Sequence, residues 1–185
     1  MKKILIFSTA YYPFVGGAEV AVKEISIPEL AADEVLVKVA AVGVCGSDVH
    51  YYQHGKIGPY IVEQPLILGH ELSGTITAVG SAVDASRVGQ RVAVEPQRPC
   101  RDCEQCNAGR YNLCPNIEFY ATPPIDGAFA EFVKIHSDFA FEIPDHVSFE
   151  AAALVEPLSV CIWAARRAEI TTGSRVLIAG AGPIG

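Results

Sequence analysis

The chain has 185 residues, half of them apolar and 19% charged, an ordinary balance for a globular protein with a sizeable core. Its formal net charge is −7, and its few basic pairs form no stripe, which argues against a nucleic-acid or anionic-membrane partner. No apolar run approaches the ~18 residues needed to span a bilayer, so a cytoplasmic location is expected, where disulfides are disfavoured and the six cysteines need another explanation.

Residues 4–7, Ile-Leu-Ile-Phe, read as a short buried strand; the apolar run is too brief for a signal peptide, since Ser8 and Thr9 follow. Residues 11–17, with Pro13, Gly16 and Gly17, are turn-like, and residues 18–24 suit a helix. From Ile25 the texture changes. Residues 34–39 (Glu-Val-Leu-Val-Lys-Val) alternate as a strand does, and so do 73–79, 91–94 and 128–134. Short strands separated by turns predict a compact, β-barrel-like domain. Ser148 is a candidate cap for a helix starting at Phe149. Pro157 would end or kink that helix, residues 158–168 resume it, and Gly173 closes it. Residues 175–179 then read as a fully buried strand running into a glycine-rich turn. There is no internal repeat and no low-complexity tract.

The strongest local signal is Cys100-x-x-Cys103-x-x-Cys106, followed after seven residues by Cys114. Four thiolates so close in sequence can wrap one tetrahedral metal, and zinc is the default for four sulfurs with no free position. The alternative is an iron–sulfur cluster, whose ferredoxin spacing also begins Cys-x2-Cys-x2-Cys but places only three residues before its last Cys-Pro. A looser set comprises Cys45, His70, Glu71 and Glu156. One thiolate, one imidazole and a carboxylate can hold zinc while leaving a fourth position for water or substrate, which is the catalytic arrangement. Read singly, each of these residues has an ordinary structural explanation, as a buried thiol, a satisfied imidazole or a helix-end acid. His70-Glu71 does not open a zincin motif, because Gly74 stands where the second histidine would be. The third signal is Gly180-x-Gly182-x-x-Gly185 after an apolar run, the opening of a dinucleotide-binding turn.

Cys45-Gly-Ser-Asp-Val-His50-Tyr51, Gly69-His70-Glu71, the four-cysteine lobe, Glu156-Pro-Leu-Ser159 and the terminal Gly-Ala-Gly-Pro-Ile-Gly occur in the order found in zinc-dependent medium-chain dehydrogenases, which residues 25–185 resemble. Arg110-Tyr-Asn-Leu113, Ala121-Thr-Pro-Pro124 and His50-Tyr-Tyr52 make the sequence similar to the sorbitol (polyol) dehydrogenase branch. The resemblance implies a mainly β, GroES-like catalytic domain over residues 25–150, then a linker helix and the first strand of a Rossmann α/β domain over 151–185. It implies a catalytic zinc on Cys45 and His70, with Glu71 and Glu156 as the candidate carboxylates, and a structural zinc on Cys100, Cys103, Cys106 and Cys114. Ser47 and His50 would lie near the nicotinamide ribose and the proton path, and Tyr51 and Glu156 would meet the substrate. Gly180, Gly182, Ile184 and Gly185 would approach the pyrophosphate of NAD or NADP. The implied reaction is oxidation of a small polyol to a ketose, with hydride passing to the nicotinamide, in a protein that is a homo-oligomer at full length.

Two features depart from that family. Residues 1–24 resemble instead the N-terminus of a GT-B glycosyltransferase, and a joined or chimeric sequence is the expectation there. The chain stops at the glycine-rich turn, so the expectation is a fragment that lacks the adenosine pocket and does not turn over polyols alone. The competing functions are a non-catalytic, zinc-stabilised GroES-like binding module and, ranked last, a glycosyltransferase fragment supported only by residues 1–24.

Overall fold

The computed structural model describes residues 5–6, 21–22, 25–180, 182 and 184. Leu5–Ile6 (β1) pairs antiparallel with Ala21–Val22 (β2). The helix expected over 18–24 is therefore corrected to a strand at Ala21–Val22, where a β-branched residue suits an extended chain with a ladder partner. The remainder of 1–24, and with it the glycosyltransferase-like opening, lies outside the described residues.

The chain continues as β3 (Glu34–Gly43), α1 (Gly46–His54), the small hairpin β4 (Lys56–Ile57) and β5 (Tyr60–Ile61), then β6 (Glu71–Val79), β7 (Arg91–Val94) and β8 (Gln97–Arg98). There follow α2 (Glu104–Asn107), β9 (Glu118–Phe119), β10 (Phe132–His136), β11 (Ala140–Glu142), α3 (Phe149–Ala153) and α4 (Val155–Arg167). Five strands form one antiparallel sheet in the order β10-β3-β6-β7-β11, and β8 pairs with β9 at the root of the cysteine loop. The mainly β domain that the alternating strands predict is present. No helix among the described residues is long and apolar enough to cross a membrane.

The sheet forms because its alternate residues bury together. Val35 and Val37 of β3, Leu72 and Ile76 of β6, Val92 and Val94 of β7, and Val133 and Ile135 of β10 make one cluster with Tyr120 and Phe139. Each such aliphatic side chain stabilises the fold by roughly 1.5–3 kcal/mol on burial. The long β3–β6 ladder breaks register between Leu36 and Val37 and again between Val39 and Ala41. Irregularities of this kind bend a strand and increase its twist.

Three expectations shift. The strand expected over 128–134 begins later, at Phe132, because the backbone N–H groups of Gly127, Ala128 and Phe129 donate instead to the carbonyls of Ile67, Gly69 and Leu68. The helix break falls at Leu154, ahead of Pro157; proline has no N–H for the carbonyl of Ala153, so it fits only in the first turn of α4. Residues 175–179 form no strand. An all-apolar strand needs neighbours on both edges and both faces; here Leu177 is 93% exposed.

A buried charge fastens the outer edge of the sheet. The Glu34 side chain is 3% exposed, 3.1 Å from both Arg98 Nη2 and Lys134 Nζ, and Oε2 accepts from Ala31 N at 2.8 Å. Burial would raise its carboxyl, but the Ala31 N–H, Lys134 and Arg98 together hold it below the usual range. Its contribution is therefore present at neutral pH and is lost as pH falls through the depressed folded pKa. Glu34→Gln is expected to cost about 1–3 kcal/mol at pH 7, since both cations can re-solvate. The gap between the urea midpoints of the two proteins would narrow as pH falls below the ordinary carboxylate range; a gap that stays constant would rule the ion pairs out as its source.

Candidate metal centres

The first centre is local. In the loop between β8 and β9, Cys100 Sγ lies 4.0 Å from Cys106 Sγ and 3.5 Å from Cys114 Sγ, and Cys103 Sγ lies 3.5 Å from Cys106 Sγ. Four sulfurs each ~2.3 Å from one zinc define a tetrahedron with edges of about 3.8 Å, which these separations bracket. They are far too long for disulfides, and all six cysteines are free. An iron–sulfur cluster, with its thiolates on different irons, would spread the sulfurs farther. Four sulfurs with no place left for water is the structural form of zinc site. Burial, and then the sulfurs of Cys103, Cys114 and Cys100, push the Cys106 thiol up to about 12.

The lobe is docked against the barrel. The Arg101 guanidinium donates to Asp138 and meets the His136 ring. The Tyr111 ring packs 5.6 Å from that of Phe139, and its hydroxyl donates to Glu95 Oε2 at 3.3 Å.

The second centre is built by the sheet. β3 ends at Gly43, and Cys45 then caps α1 with extended backbone angles, φ −80° and ψ 156°. Asp48, in the first turn of α1, accepts from Cys45 N through Oδ2 and from Gly69 N through Oδ1, each at 2.9 Å. One buried carboxylate thus ties the start of α1 to the start of β6. Gly69 has φ +89°, and a Cβ there would stand 2.9 Å from the Phe129 ring, so this turn admits only glycine. The turn delivers His70 and Glu71 into the interior, both 7% exposed. One ligand atom each from Cys45, His70 and Glu71 then lie within 4.8 Å of one another.

The charges around this group favour a cation. Burial works against a charged His70 ring, but Asp48, and after it Cys45, push the imidazole up to about 9. Asp48 stays ionised: burial would raise its carboxyl, yet His70 and the N–H groups of Gly69 and Cys45 hold it below the usual range. His70 Nδ1 sits 3.7 Å from Asp48 Oδ1, buried and without a hydrogen-bond partner. A half-buried thiol with a buried imidazole and a buried carboxylate, and a second carboxylate behind the imidazole, is a donor set that suits zinc.

Glu156 reaches the same region from α4. Arg91 fixes the approach by donating to the carbonyls of Pro144, Asp145 and Val147 at 3.2, 2.9 and 2.7 Å, with its guanidinium 4.4 Å over the Phe149 ring. The Ser73 hydroxyl donates to Phe149 O at 2.6 Å, and the Ser148 side chain caps α3 by accepting from Ala151 N. Glu156 lies outside the 4.8 Å group. Burial raises its carboxyl, His70 opposes that, and Glu71, Asp48 and Glu95 add to it. It lines a cavity of about 320 Å³ with Glu95, Gln97, Tyr111 and Phe119, and the Phe119 ring is 5.5 Å from that of His70.

The other expected site residues are more dispersed. Ser47 is half-buried on α1, and His50 is exposed with its ring 4.5 Å from that of His54. Tyr51 is 3% exposed and packs with Leu66, Leu68 and Ala121. Gly180 has φ +118°, and a Cβ at Gly180 or Gly182 would meet nothing within 4 Å. Ile184 is 58% exposed, and Gly185 lies outside the described residues. The described part of the glycine-rich turn is thus not brought against a phosphate cradle. Sequence reasoning passed over Asp48, Glu95 and Phe119. Asp48 did carry a signal, since an acidic residue three positions after a helix cap commonly returns to the cap's N–H.

Residues 31–145 match the alcohol dehydrogenase GroES-like domain. The chain is 56% identical to sorbitol dehydrogenase of Bacillus subtilis (strain 168) over 167 residues, 90% of this chain and 47% of that protein. It is 52% identical to probable D-xylulose reductase A of Neosartorya fischeri over 160 residues, 86% of this chain and 45% of that protein. Among solved structures, an alcohol dehydrogenase from Escherichia coli CFT073 complexed with NADH superposes with a TM-score of 0.80 at 36% identity, covering 89% of this chain and 47% of that one. The chain spans about half the length of the curated relatives it matches. With its four-sulfur lobe and its five-stranded antiparallel sheet, the chain belongs to the alcohol dehydrogenase GroES-like family, in the zinc-dependent medium-chain, sorbitol dehydrogenase-like group.

Proposed function

We propose that this chain provides the metal-binding, substrate-activating part of a zinc-dependent, NAD(P)-linked oxidoreductase that converts a secondary hydroxyl of a polyol to a ketose. The observation that carries the reading is the convergence of Cys45, His70 and Glu71 within 4.8 Å, beside a cavity lined by Glu156. A closed scaffold gains nothing from a three-ligand group of this kind in addition to its four-sulfur lobe. The similarity to a sorbitol dehydrogenase and a probable D-xylulose reductase supports a polyol as the substrate class, and the NADH in a related structure supports the nicotinamide.

Zinc held by Cys45, His70 and Glu71 would supply a Lewis acid that eases ionisation of a substrate hydroxyl near neutral pH. The chain's own residues do the rest. Asp48 balances the charge of the His70 ring from 3.7 Å away. Glu156, whose carboxyl is raised by burial, would accept a hydrogen bond from the substrate hydroxyl beside the one that reacts. Phe119 walls the cavity on the His70 side. Ser47 and the exposed His50 on α1 offer a route for the proton to solvent, and Tyr51 would position the polyol. Gly180, Gly182, Ile184 and Gly185 are assigned to the dinucleotide.

Native mass spectrometry of the purified chain is expected to show two zinc ions. Changing Cys103 and Cys106 to Ser removes one of them, and the remaining ion marks the second centre. A single ion that disappears in this variant would favour the non-catalytic, zinc-stabilised module. Zinc must also displace thiol protons from the lobe, so its affinity there should fall as pH is lowered, in a zinc-competition titration between pH 8 and pH 5. With cobalt in place of zinc, xylitol or sorbitol is expected to shift the visible absorption of the second centre; no shift at any polyol concentration would count against substrate binding there.

A further inference from the structure

Gly43 and Glu71 are directly opposed across the β3–β6 ladder. A Cβ built on Gly43 would lie 2.1 Å from Glu71 Oε2, 3.1 Å from its Cβ and 3.2 Å from its Cδ, and these are its three nearest heavy atoms. The Glu71 side chain therefore folds back across the strand pair and fills the space that any side chain at residue 43 would take. Gly43 is not among the positive-φ glycines, so its backbone would accept alanine without strain. The requirement at this position is for volume alone.

From this we infer that Gly43 is a positioning residue for the second metal centre: the missing side chain is what allows the Glu71 carboxylate to lie beside Cys45 and His70. The inference rests on the reading of Cys45, His70 and Glu71 as a metal centre. The nearest of the clashing atoms is the end of a flexible side chain, so most of the overlap with a methyl at residue 43 is relieved by turning Glu71 away, and the remaining 3.1 Å contact with the Glu71 Cβ asks only a small local adjustment of the ladder. The barrel keeps its fold and the centre loses its carboxylate. Glycine in a strand also costs stability relative to alanine, by roughly 0.5–1 kcal/mol, so the substitution works against metal binding while leaving the fold as stable as before or slightly more so. A residue with a merely structural role would move both together.

The test uses the whole 185-residue chain with Gly43→Ala, Glu71→Ala and the two combined. Zinc is titrated against a chromophoric chelator, ions are counted by native mass spectrometry, and unfolding is followed in urea. In Gly43→Ala the weaker of two zinc sites is expected to lose roughly 10- to 100-fold in affinity, the range typical for residues that hold a ligand in place. The four-sulfur site and the urea midpoint of the metal-free protein should not fall. In the Glu71→Ala background, Gly43→Ala should change zinc affinity little further, because the carboxylate it would displace is already gone. Wild-type affinity in Gly43→Ala would overturn the inference while leaving the metal centre standing, as would an equal loss with and without Glu71. A wild-type chain that binds one zinc only, in the lobe, would overturn both.

Discussion

The second centre depends on one carboxylate that ligates nothing. Asp48 receives two backbone N–H groups, one from Cys45 before α1 and one from Gly69 before β6, and lies behind the His70 ring. Hydrogen bonds to an ionised acceptor are roughly twice as strong as neutral ones, and a buried one is not diluted by water. The two donors belong to segments that are neighbours only in the folded sheet. Asp48 therefore does for the thiol and the imidazole what a covalent link would do: it sets how far apart they can be. Glycine at residue 69 is the corresponding steric condition, since no other residue could make the turn under the Phe129 ring.

The two centres differ in how much of the fold they need. The cysteine lobe takes all its ligands from residues 100–114, from one loop closed by the short β8–β9 ladder. It is attached to the barrel by Arg101 and by Tyr111, whose hydroxyl reaches Glu95 in the cavity wall. The second centre takes one ligand from the start of α1 and two from the start of β6, and gains Glu156 from α4, which packs on β6 and β7. Its precision comes from the β3–β6 pairing, the longest ladder among the described residues, because a group carried on regular strands is held more tightly than one on a loop.

That difference also explains what could be read from the residues alone. Four cysteines at short spacing announce a metal without any knowledge of the fold, and strand alternation announces the sheet. Cys45, His70 and Glu156 are each unremarkable in isolation, and only their order along a familiar pattern joined them. The choice between Glu71 and Glu156 as the carboxylate nearest Cys45 and His70 could not be read at all, since it depends on which side chain the β3–β6 register turns inward. The failures have the same origin. Residues 175–179 look like a strand because they are apolar, but a strand is made by its neighbours. Residues 128–131 look like the start of β10, yet their N–H groups serve the segment that leads to His70.

The chemistry of the second centre follows from its surplus of carboxylates. Asp48, Glu71, Glu95 and Glu156 all act on the same small volume, against one imidazole. Asp48 and Cys45 raise the His70 imidazole, and burial, with Glu71, Asp48 and Glu95, raises the Glu156 carboxyl. A divalent cation answers the same demand, and it does so beside oxygen and nitrogen donors and a single sulfur. Replacing a second thiolate by a carboxylate makes the centre harder, and hard centres prefer oxygen. The cavity next to it is walled by Phe119 but edged with Glu95, Gln97, Tyr111 and Glu156. An apolar alcohol would leave those groups without partners at a desolvation cost, whereas a chain of adjacent hydroxyls satisfies them one after another. On the proposed function, a preference for a polyol would thus come less from the reacting carbon than from the acids that its neighbouring hydroxyls are needed to pair.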